Sequence, residues 1–275
     1  MKRSPQISVL IPAYNMDAYI GRAITSVLNG SFKNLEIIVI DDGSKDNTKE
    51  IVNNFTNPET EMYDYRVKYV RQANQGKPAA VNHGFKKSRG EYITILDADD
   101  ELPANSLESR YSVVEQSAHR IDCIVGSFSI INEYGQIVGH RSVPQTSSTR
   151  TLWRKYFLSY RTPFHLNACL IHQDVVNDIG LIDTTLTRCE DIDYALRLLR
   201  TVDTFEVIKS DVYHYRKYRA SRHQRIRMRW TTLKKRYVVL KRHAPSPVGT
   251  PAALMGVLLD AIKLAYETFA GNYTS

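Results

Sequence analysis

Apolar runs alternate with amphipathic stretches through the first hundred residues of the chain. Residues 7–11 and 35–40 are short and almost wholly apolar, as expected of strands that are buried on both faces of a sheet. Residues 18–28 carry apolar side chains three or four positions apart, which is the spacing of a helix. The same reasoning predicts further strands at 67–70 and 92–96 and further helices at 46–55 and 78–87. Repeated strand–helix units with short links predict an α/β protein whose central sheet is mainly parallel and flanked by helices.

The pattern becomes mixed after Leu107. Residues 124–131 and 136–140 flank Glu133-Tyr134-Gly135 and predict a hairpin. The remaining segments with a clear pattern are two predicted helices, 152–158 and 191–199, and a predicted strand, 166–171.

Polar clusters follow three of the predicted strands. They are Pro12-Ala13-Tyr14-Asn15, Asp41-Asp42 and Asp97-Ala98-Asp99-Asp100. Ligands of open α/β sheets bind beside the carboxyl ends of the strands, so these clusters are expected to share one crevice.

Composition supports an ordinary globular protein. Of 275 residues, 43% are hydrophobic and 24% are charged, which suits one large domain with an extension or two modest domains. The three cysteines are widely spaced and form no disulfide or zinc pattern, which favours a reducing compartment. The apolar run at 7–13 is too short for a signal peptide, and no run reaches the about 20 apolar residues of a membrane span. We therefore expect a cytoplasmic location, with peripheral contact at the inner face of the membrane as an alternative.

The net charge of +8 comes from one segment. Between Val212 and Leu259 there are 12 of the 37 lysines and arginines and none of the 29 acidic residues. From Arg222, apolar residues recur at helical spacing among basic ones: Ile226, Trp230, Leu233, Tyr237 and Leu240. This basic amphipathic helix either docks its apolar stripe on the rest of the protein or lies, through residues 222–242, on an anionic membrane near a lipid-linked acceptor.

A second C-terminal helix is predicted at 252–269. Its charged residues Asp260, Lys263 and Glu267 argue against a membrane span, so it is expected to pack, to form a homodimer or to lie at an interface. The basic segment accompanies no recognised nucleic-acid-binding module, and we expect no nucleic acid partner.

Asp97 to Asp100 is the most informative tetrapeptide. Carboxylates crowded after a buried strand repel one another, and a hard divalent cation relieves that repulsion. Alone, however, the tetrapeptide is equally consistent with acidic residues that cap the next helix.

Several motifs together resemble the family-2 glycosyltransferases, which have the GT-A nucleotide-sugar-binding fold. The matching stretches are Val9 to Asn15, Asp41-Asp42-Gly43-Ser44-Lys45-Asp46-Asn47-Thr48, Asn74-Gln75-Gly76-Lys77, Gly90 to Asp100, Gly180 to Asp183 and Glu190-Asp191-Ile192-Asp193-Tyr194. The resemblance covers about residues 6–218. It implies a glycosyltransferase domain at 1–218, with a donor half at about 1–103 and an acceptor half at about 104–218, and a basic helical extension at 219–275.

The resemblance implies roles for five nucleotide-binding residues. Pro12, Tyr14 and Asp42 would line the base pocket, with Asp42 accepting a hydrogen bond from the base. Asp97 would face the ribose. Lys77 would offset the charge of the leaving diphosphate, unless it is simply a solvated lysine.

The resemblance also implies a metal ligand and a base. Asp99 would bind Mn²⁺ or Mg²⁺, whereas Asp100 would either act in catalysis or cap a helix. Asp191 would be the general base and Glu190 its supporting neighbour, although acidic residues are common in the first turn of a helix. Asp193 is expected to point elsewhere.

Two departures from the family pattern matter. A histidine that often helps to hold the metal, two residues after an arginine, is replaced by Tyr218; neither His214 nor His223 is assigned that role. The Gln-x-x-Arg-Trp signature of sugar polymerases is absent, so a processive synthase is not expected.

The implied reaction is inverting, metal-dependent transfer of a sugar from a nucleoside diphosphate, with UDP expected, to a saccharide or lipid-linked acceptor in cell-surface polysaccharide or glycoconjugate synthesis. One alternative is a sugar-nucleotide pyrophosphorylase, but Pro12-Ala13-Tyr14-Asn15 stands where that class has a glycine-rich loop. Another is a non-catalytic protein that binds nucleotide sugars.

Overall fold

The computed structural model describes residues 4–158, 162–186, 188–218, 222–243 and 258, and of residues 222–230 only the backbone. The strands are β1 (Ile7–Ala13), β2 (Leu35–Asp41), β3 (Val67–Arg71), β4 (Tyr92–Ile95), β5 (Cys123–Ile131), β6 (Ile137–Arg141), β7 (Cys169–His172) and β8 (Phe205–Arg216). The helices are α1 (Ile20–Leu28), α2 (Thr48–Thr56), α3 (Lys77–Lys87), α4 (Ser106–Gln116), α5 (Thr149–Leu158), α6 (Gln173–Ile179), α7 (Glu190–Thr201) and α8 (Arg222–His243). The second C-terminal helix predicted at 252–269 lies outside the described residues.

The sheet follows the order β3-β2-β1-β4-β7-β5-β6, and β8 pairs with β5. The first four strands are parallel to one another, and β8 is parallel to β5. Strand β7 runs antiparallel to both β4 and β5, and β6 forms the predicted antiparallel hairpin with β5. The predicted, mainly parallel α/β sheet is therefore confirmed.

Burial explains why the first two strands read so clearly in the sequence. Every residue of β1 and β2 is buried, because helices cover both faces of the sheet. Helix α3 approaches the sheet closely at Gly84, where an added Cβ would lie 3.0 Å from both Leu10 and Ile40 side-chain carbons. This close approach fixes the distance between α3 and the sheet, and with it the position of Lys77, the first residue of the helix.

One predicted strand is partly wrong. Residues 166–171 begin with a 3₁₀ helix, Leu166–Ala168, and only then enter β7. The buried Arg110 side chain explains the break, since its guanidinium donates hydrogen bonds to the backbone oxygens of Ala168 and Cys169. Strand β8 and helices α4 and α6 were not predicted.

The described part of α8 packs on the protein. Leu233, Val239 and Leu240 are buried, and Arg236 donates a hydrogen bond of 2.8 Å to the backbone oxygen of Tyr156 in α5. Docking of the apolar stripe is thus confirmed for residues 231–243. No helix within the described ranges combines the length and the apolar character that crossing a bilayer requires.

Candidate active site

The three polar clusters lie side by side, as predicted, at the carboxyl edge of the parallel strands. Ala13 is paired with Asp41 across β1 and β2, while Leu10 is paired with Ile95 across β1 and β4. Residues 12–15, 41–42 and 97–100 therefore emerge from adjacent strands at one end of the sheet.

The first cluster is joined to the loop that follows Asp41-Asp42 by hydrogen bonds from backbone N–H groups to side-chain oxygens. The Asn15 N–H donates to Ser44 Oγ at 3.0 Å, and the Lys45 N–H donates to Asn15 Oδ1 at 2.9 Å. Asn15 adopts a left-handed backbone with φ of 54°, a conformation that asparagine tolerates well. The turn leaves Pro12 buried at the end of β1 and Tyr14 41% exposed. Their predicted roles in the base pocket stay predictions.

Asp42 organises the loop that leads to α3. Its carboxylate accepts hydrogen bonds from Gln72 Nε2 at 2.8 Å, from the Gln75 N–H at 2.9 Å and from the Gly76 N–H at 2.8 Å. Asp42 is buried, so these bonds replace its lost solvation. The structure thus gives Asp42 a loop-ordering contact; base binding by the same residue stays a prediction.

Lys77 and Asp97 form an ion pair at the centre of this edge. Lys77 Nζ donates to Asp97 Oδ2 at 2.7 Å, from the first residue of α3 to the second residue after β4. Burial favours the neutral acid, but the Lys77 ammonium outweighs it, and the pKa of Asp97 lies below its usual value. The pair is therefore ionised at neutral pH.

Asp99 and Asp100 complete an acidic cluster with Asp97. One ligand oxygen from each of the three lies within 4.8 Å of the other two. Burial, and then the negative charge of Asp97, raises the pKa of Asp99. Its Oδ2 accepts a hydrogen bond of 3.1 Å from the hydroxyl of Tyr218, the residue that the resemblance puts in place of a histidine.

Asp100 is tied to β8. Its two oxygens accept hydrogen bonds of 2.6 Å each from the Tyr213 hydroxyl and from the Arg216 N–H. Burial and the charge of Asp97 raise its pKa to about 8. The alternative that Asp100 caps the next helix is wrong, since its side chain bonds to β8 and Asn105 precedes the first turn of α4.

The cluster fits a hard divalent cation. Its donors are carboxylate oxygens, the ligands that Mg²⁺ and Mn²⁺ prefer, and a cation there would offset the burial and the Asp97 charge that raise the pKa of Asp99. His214 lies elsewhere: after burial, the charges that act on its pKa are those of Glu101, Asp211 and Arg216. The His223 side chain is outside the described residues.

Glu190 and Asp191 reach the same cleft from the first turn of α7. Burial lowers the pKa of Lys77, but Asp97, Asp191 and Glu190 together raise it above its usual value, so all three carboxylates act on one ammonium group. The pKa of the half-buried Glu190 is raised by burial and then by Asp191. Asp191 is exposed, and no described residue forms a hydrogen bond or ion pair with its carboxylate. The sequence-predicted donor and acceptor residues are thus brought together.

Asp193 points away from this cleft, as predicted. It is buried against α8, with Oδ1 2.8 Å from His243 Nε2 and Oδ2 accepting a 3.0 Å hydrogen bond from Arg197 Nε. The adjoining Gly180–Asp183 motif is tied to α3, since Asn82 donates to the Ile182 oxygen at 2.9 Å and accepts from the Ile182 N–H at 2.8 Å.

Sequence reasoning missed three residues that support the site. Tyr213 bonds to Asp100 and also accepts a 3.2 Å hydrogen bond from the Asp97 N–H. The buried Arg216 side chain donates to the backbone oxygens of Asp99 at 2.7 Å and Asn132 at 2.8 Å. The charges of Asp191, Asp97 and Lys77 act on the pKa of the His165 imidazole. None belongs to a periodic pattern, so only the folded contacts reveal them.

The model of the family described as "Glycosyl transferase family 2" matches residues 8–177. An uncharacterized glycosyltransferase of Haemophilus influenzae is 42% identical over 114 residues, which cover 41% of this chain and 44% of that protein. An uncharacterized glycosyltransferase of Rickettsia typhi is 29% identical over 214 residues, 76% of this chain and 65% of the relative. The chain therefore spans less than two thirds of either relative.

Solved structures share the fold. S. aureus TarS 1-349 superposes with a TM-score of 0.63 at 18% identity, over 95% of this chain and 73% of that one. The mannosyltransferase PcManGT from Pyrobaculum calidifontis, in complex with GDP-Man and Mn²⁺, gives 0.60 at 16% identity, over 99% and 81%. Both neighbours are GT-A glycosyltransferases, and the predicted GT-A fold is confirmed.

Proposed function

The chain belongs to glycosyl transferase family 2, and on that premise we propose that it transfers a sugar from a nucleoside diphosphate to an acceptor hydroxyl with inversion at the anomeric carbon. One observation carries the proposal. Asp191 is exposed and has no hydrogen-bond or ion-pair partner among the described residues, and its charge acts on the same Lys77 ammonium that Asp97 binds. A proton acceptor and a diphosphate-binding cation in one cleft are what a single displacement needs.

Asp191 would be the general base. Its carboxylate accepts the proton of the acceptor hydroxyl while that oxygen forms a bond to the anomeric carbon. The bond from the same carbon to the diphosphate oxygen breaks on the opposite face, and the nucleoside diphosphate leaves. One displacement inverts the configuration. Glu190, whose pKa is raised by burial and by Asp191, supports the base as its neighbour.

The nucleotide would lie against Pro12, Tyr14, Asp42, Lys77 and Asp97. The Lys77 ammonium offsets charge on the leaving diphosphate. TarS has been solved in complex with UDP and with UDP-GlcNAc, which supports UDP as the nucleotide, although the PcManGT complex holds GDP-Man.

Asp99, with Asp97 and Asp100 beside it, would hold Mn²⁺ or Mg²⁺. When bound, the ion supplies positive charge at the diphosphate. The fit rests on the oxygen-rich cluster and on the raised pKa of Asp99.

We place the reaction in cell-surface polysaccharide or glycoconjugate synthesis, at the cytoplasmic face of the membrane. Lys234, Lys235 and Lys241 are exposed on the outer side of α8, beside the exposed Val238, which suits an anionic lipid surface. Sedimentation with vesicles of phosphatidylglycerol and phosphatidylcholine at low salt checks this contact, and failure to bind would exclude it.

The sedimentation coefficient in solution checks the predicted homodimer.

A panel of nucleotide sugars tests the activity. The protein is incubated with UDP-glucose, UDP-GlcNAc, UDP-galactose and GDP-mannose, Mn²⁺ or Mg²⁺, and saccharide acceptors, and released nucleoside diphosphate is measured. Transfer gives nucleoside diphosphate that depends on Asp191. A pyrophosphorylase would instead form nucleoside triphosphate from added pyrophosphate, and a binding protein would bind donors without turnover.

A further inference from the structure

His165 is held in one tautomer at the entrance to the short 3₁₀ helix. The Asn167 N–H donates a hydrogen bond of 3.3 Å to His165 Nδ1. A nitrogen that accepts a hydrogen bond carries no proton, so the proton of the neutral ring lies on Nε2. Burial lowers the pKa of His165, which keeps the ring neutral at pH 7. The residue therefore offers one N–H donor, and no described residue accepts from it.

Aromatic neighbours hold the ring in place. It stacks on Tyr213, with ring centroids 5.5 Å apart and planes 20° from parallel. Phe128 meets it edge-on at 5.6 Å, and Tyr215 lies 5.4 Å away. Three rings around a half-buried imidazole leave it little freedom to turn, so its donor is preorganised.

The ring lies beside the end of the Lys77–Asp97 ion pair, because its stacking partner Tyr213 accepts a hydrogen bond of 3.2 Å from the Asp97 N–H. Charged groups of both halves of the cleft act on it there. They are Asp191, Asp97 and Lys77. The diphosphate is proposed to end at Lys77, and the attacking oxygen is proposed to lie at Asp191. The transferred sugar must lie between the diphosphate and the attacking oxygen, which is the part of the cleft that His165 borders. The hydroxyl groups of a sugar can accept hydrogen bonds.

We propose that Nε2–H of His165 donates a hydrogen bond to a hydroxyl of the sugar being transferred, and thereby helps to select the donor. This inference rests on the proposed glycosyl transfer. In this role His165 recognises the sugar of the donor, whereas other residues bind its nucleotide.

Two substitutions separate hydrogen bonding from packing. His165→Phe keeps an aromatic ring against Tyr213 but has no donor, whereas His165→Gln keeps an amide N–H near the Nε2 position but loses the ring. We expect His165→Phe to lower kcat/KM for the preferred donor by roughly tenfold or more while the Kd for UDP stays within about twofold. His165→Gln should retain most of kcat/KM, and the exposed His119→Phe should change nothing.

The opposite pattern, an active His165→Phe and an impaired His165→Gln, would assign the residue to packing and overturn the proposal. A loss of UDP affinity equal to the loss of donor affinity would also overturn it, as would a change confined to the KM of the acceptor. If the unaltered protein binds UDP in calorimetry but releases none from any donor, the proposed function fails together with this inference. If it turns a donor over and His165→Phe matches it, the role of His165 alone fails.

Discussion

Lys77 Nζ lies 2.7 Å from Asp97 Oδ2, and this ion pair links the first turn of α3 to the end of β4. Each partner is held by other contacts, since Asp42 orders the loop before Lys77 and the Asp97 N–H bonds to Tyr213. The ammonium group is therefore presented at a fixed point where the negative charges of both halves of the cleft converge.

Removing the Lys77 charge is expected to weaken nucleotide binding. Lys77→Ala should raise the Kd for UDP by roughly ten- to a hundredfold, because a hydrogen bond to a charged group contributes about 1.5–3 kcal/mol. Isothermal titration calorimetry measures the change. Lys86→Ala, in the last turn of the same helix, is the matched control. Equal affinities of the two variants would show that Lys77 pairs with Asp97 without contributing to diphosphate binding.

Replacing the proposed base is expected to abolish transfer without unfolding the protein. Asp191→Asn should reduce kcat by about 10²–10⁴-fold, because the amide cannot accept the proton. Its melting temperature should match that of the parent, since Asp191 is exposed and unpaired among the described residues. Asp203→Asn, at an exposed position just after α7, controls for the loss of one charge. Near-full activity of Asp191→Asn would remove the base assignment.

Tyr218 offers a test of the metal site. Tyr218→His places an imidazole beside Asp99, where the parent has a hydroxyl that donates to Asp99 Oδ2. Imidazole is a good ligand for transition metals, so half-maximal activity should need less Mn²⁺, whereas Tyr218→Phe should need no less than the parent. Titration of activity with Mn²⁺ provides the measurement. Identical curves for the two variants would contradict a metal at Asp99.

The buried Asp193 is expected to make the free energy of unfolding depend on pH in the acidic range. Burial raises its pKa, but the contacts with His243 and Arg197 outweigh this, and the folded pKa lies below the usual 3.8. A lowered folded pKa stabilises the protein above the unfolded pKa, and this contribution is lost as the pH falls through the folded value.

Asp193→Asn should therefore lower the free energy of unfolding by about 3 kcal/mol at pH 7, because Arg197 and His243 lose a buried anion. The difference from the parent should shrink below about pH 4, as urea unfolding at pH 7, 5 and 3 would measure. Asp174→Asn removes an exposed carboxylate that contacts Arg120 and, at 3.7 Å, His172, and it should cost little. A constant difference across this pH range would contradict the ionic origin.

Local patterns predicted the donor side well because its elements are periodic and its motifs are contiguous. The apolar runs of β1 and β2 are buried throughout, and Asp97 to Asp100 begin two residues after the end of β4. The family resemblance drew attention to Tyr218 through its position after Arg216, and the structure adds its hydrogen bond to Asp99.

The acceptor side was less predictable because its contacts join distant parts of the chain. Strand β8 exposes Lys209 and Ser210 in its middle, so it lacks the alternation of a typical strand. Tyr213 in this strand donates a hydrogen bond to Asp100, which lies 113 positions earlier in the sequence. The 3₁₀ turn at Leu166–Ala168 depends on Arg110, another distant residue that no local pattern connects to it.

The paired hydrogen bonds between Asn82 and Ile182 bear on how this fold can be recombined. They join α3 to the segment that leads to Asp191. An exchange of C-terminal halves between relatives would therefore separate the Asn82 side chain from the Ile182 backbone groups to which it is hydrogen-bonded. Chimeric enzymes built at a junction near residue 104 would inherit a buried amide without its backbone partner unless the loop around Ile182 kept its conformation. Loop grafting on this scaffold is therefore best confined to segments that leave this connection whole.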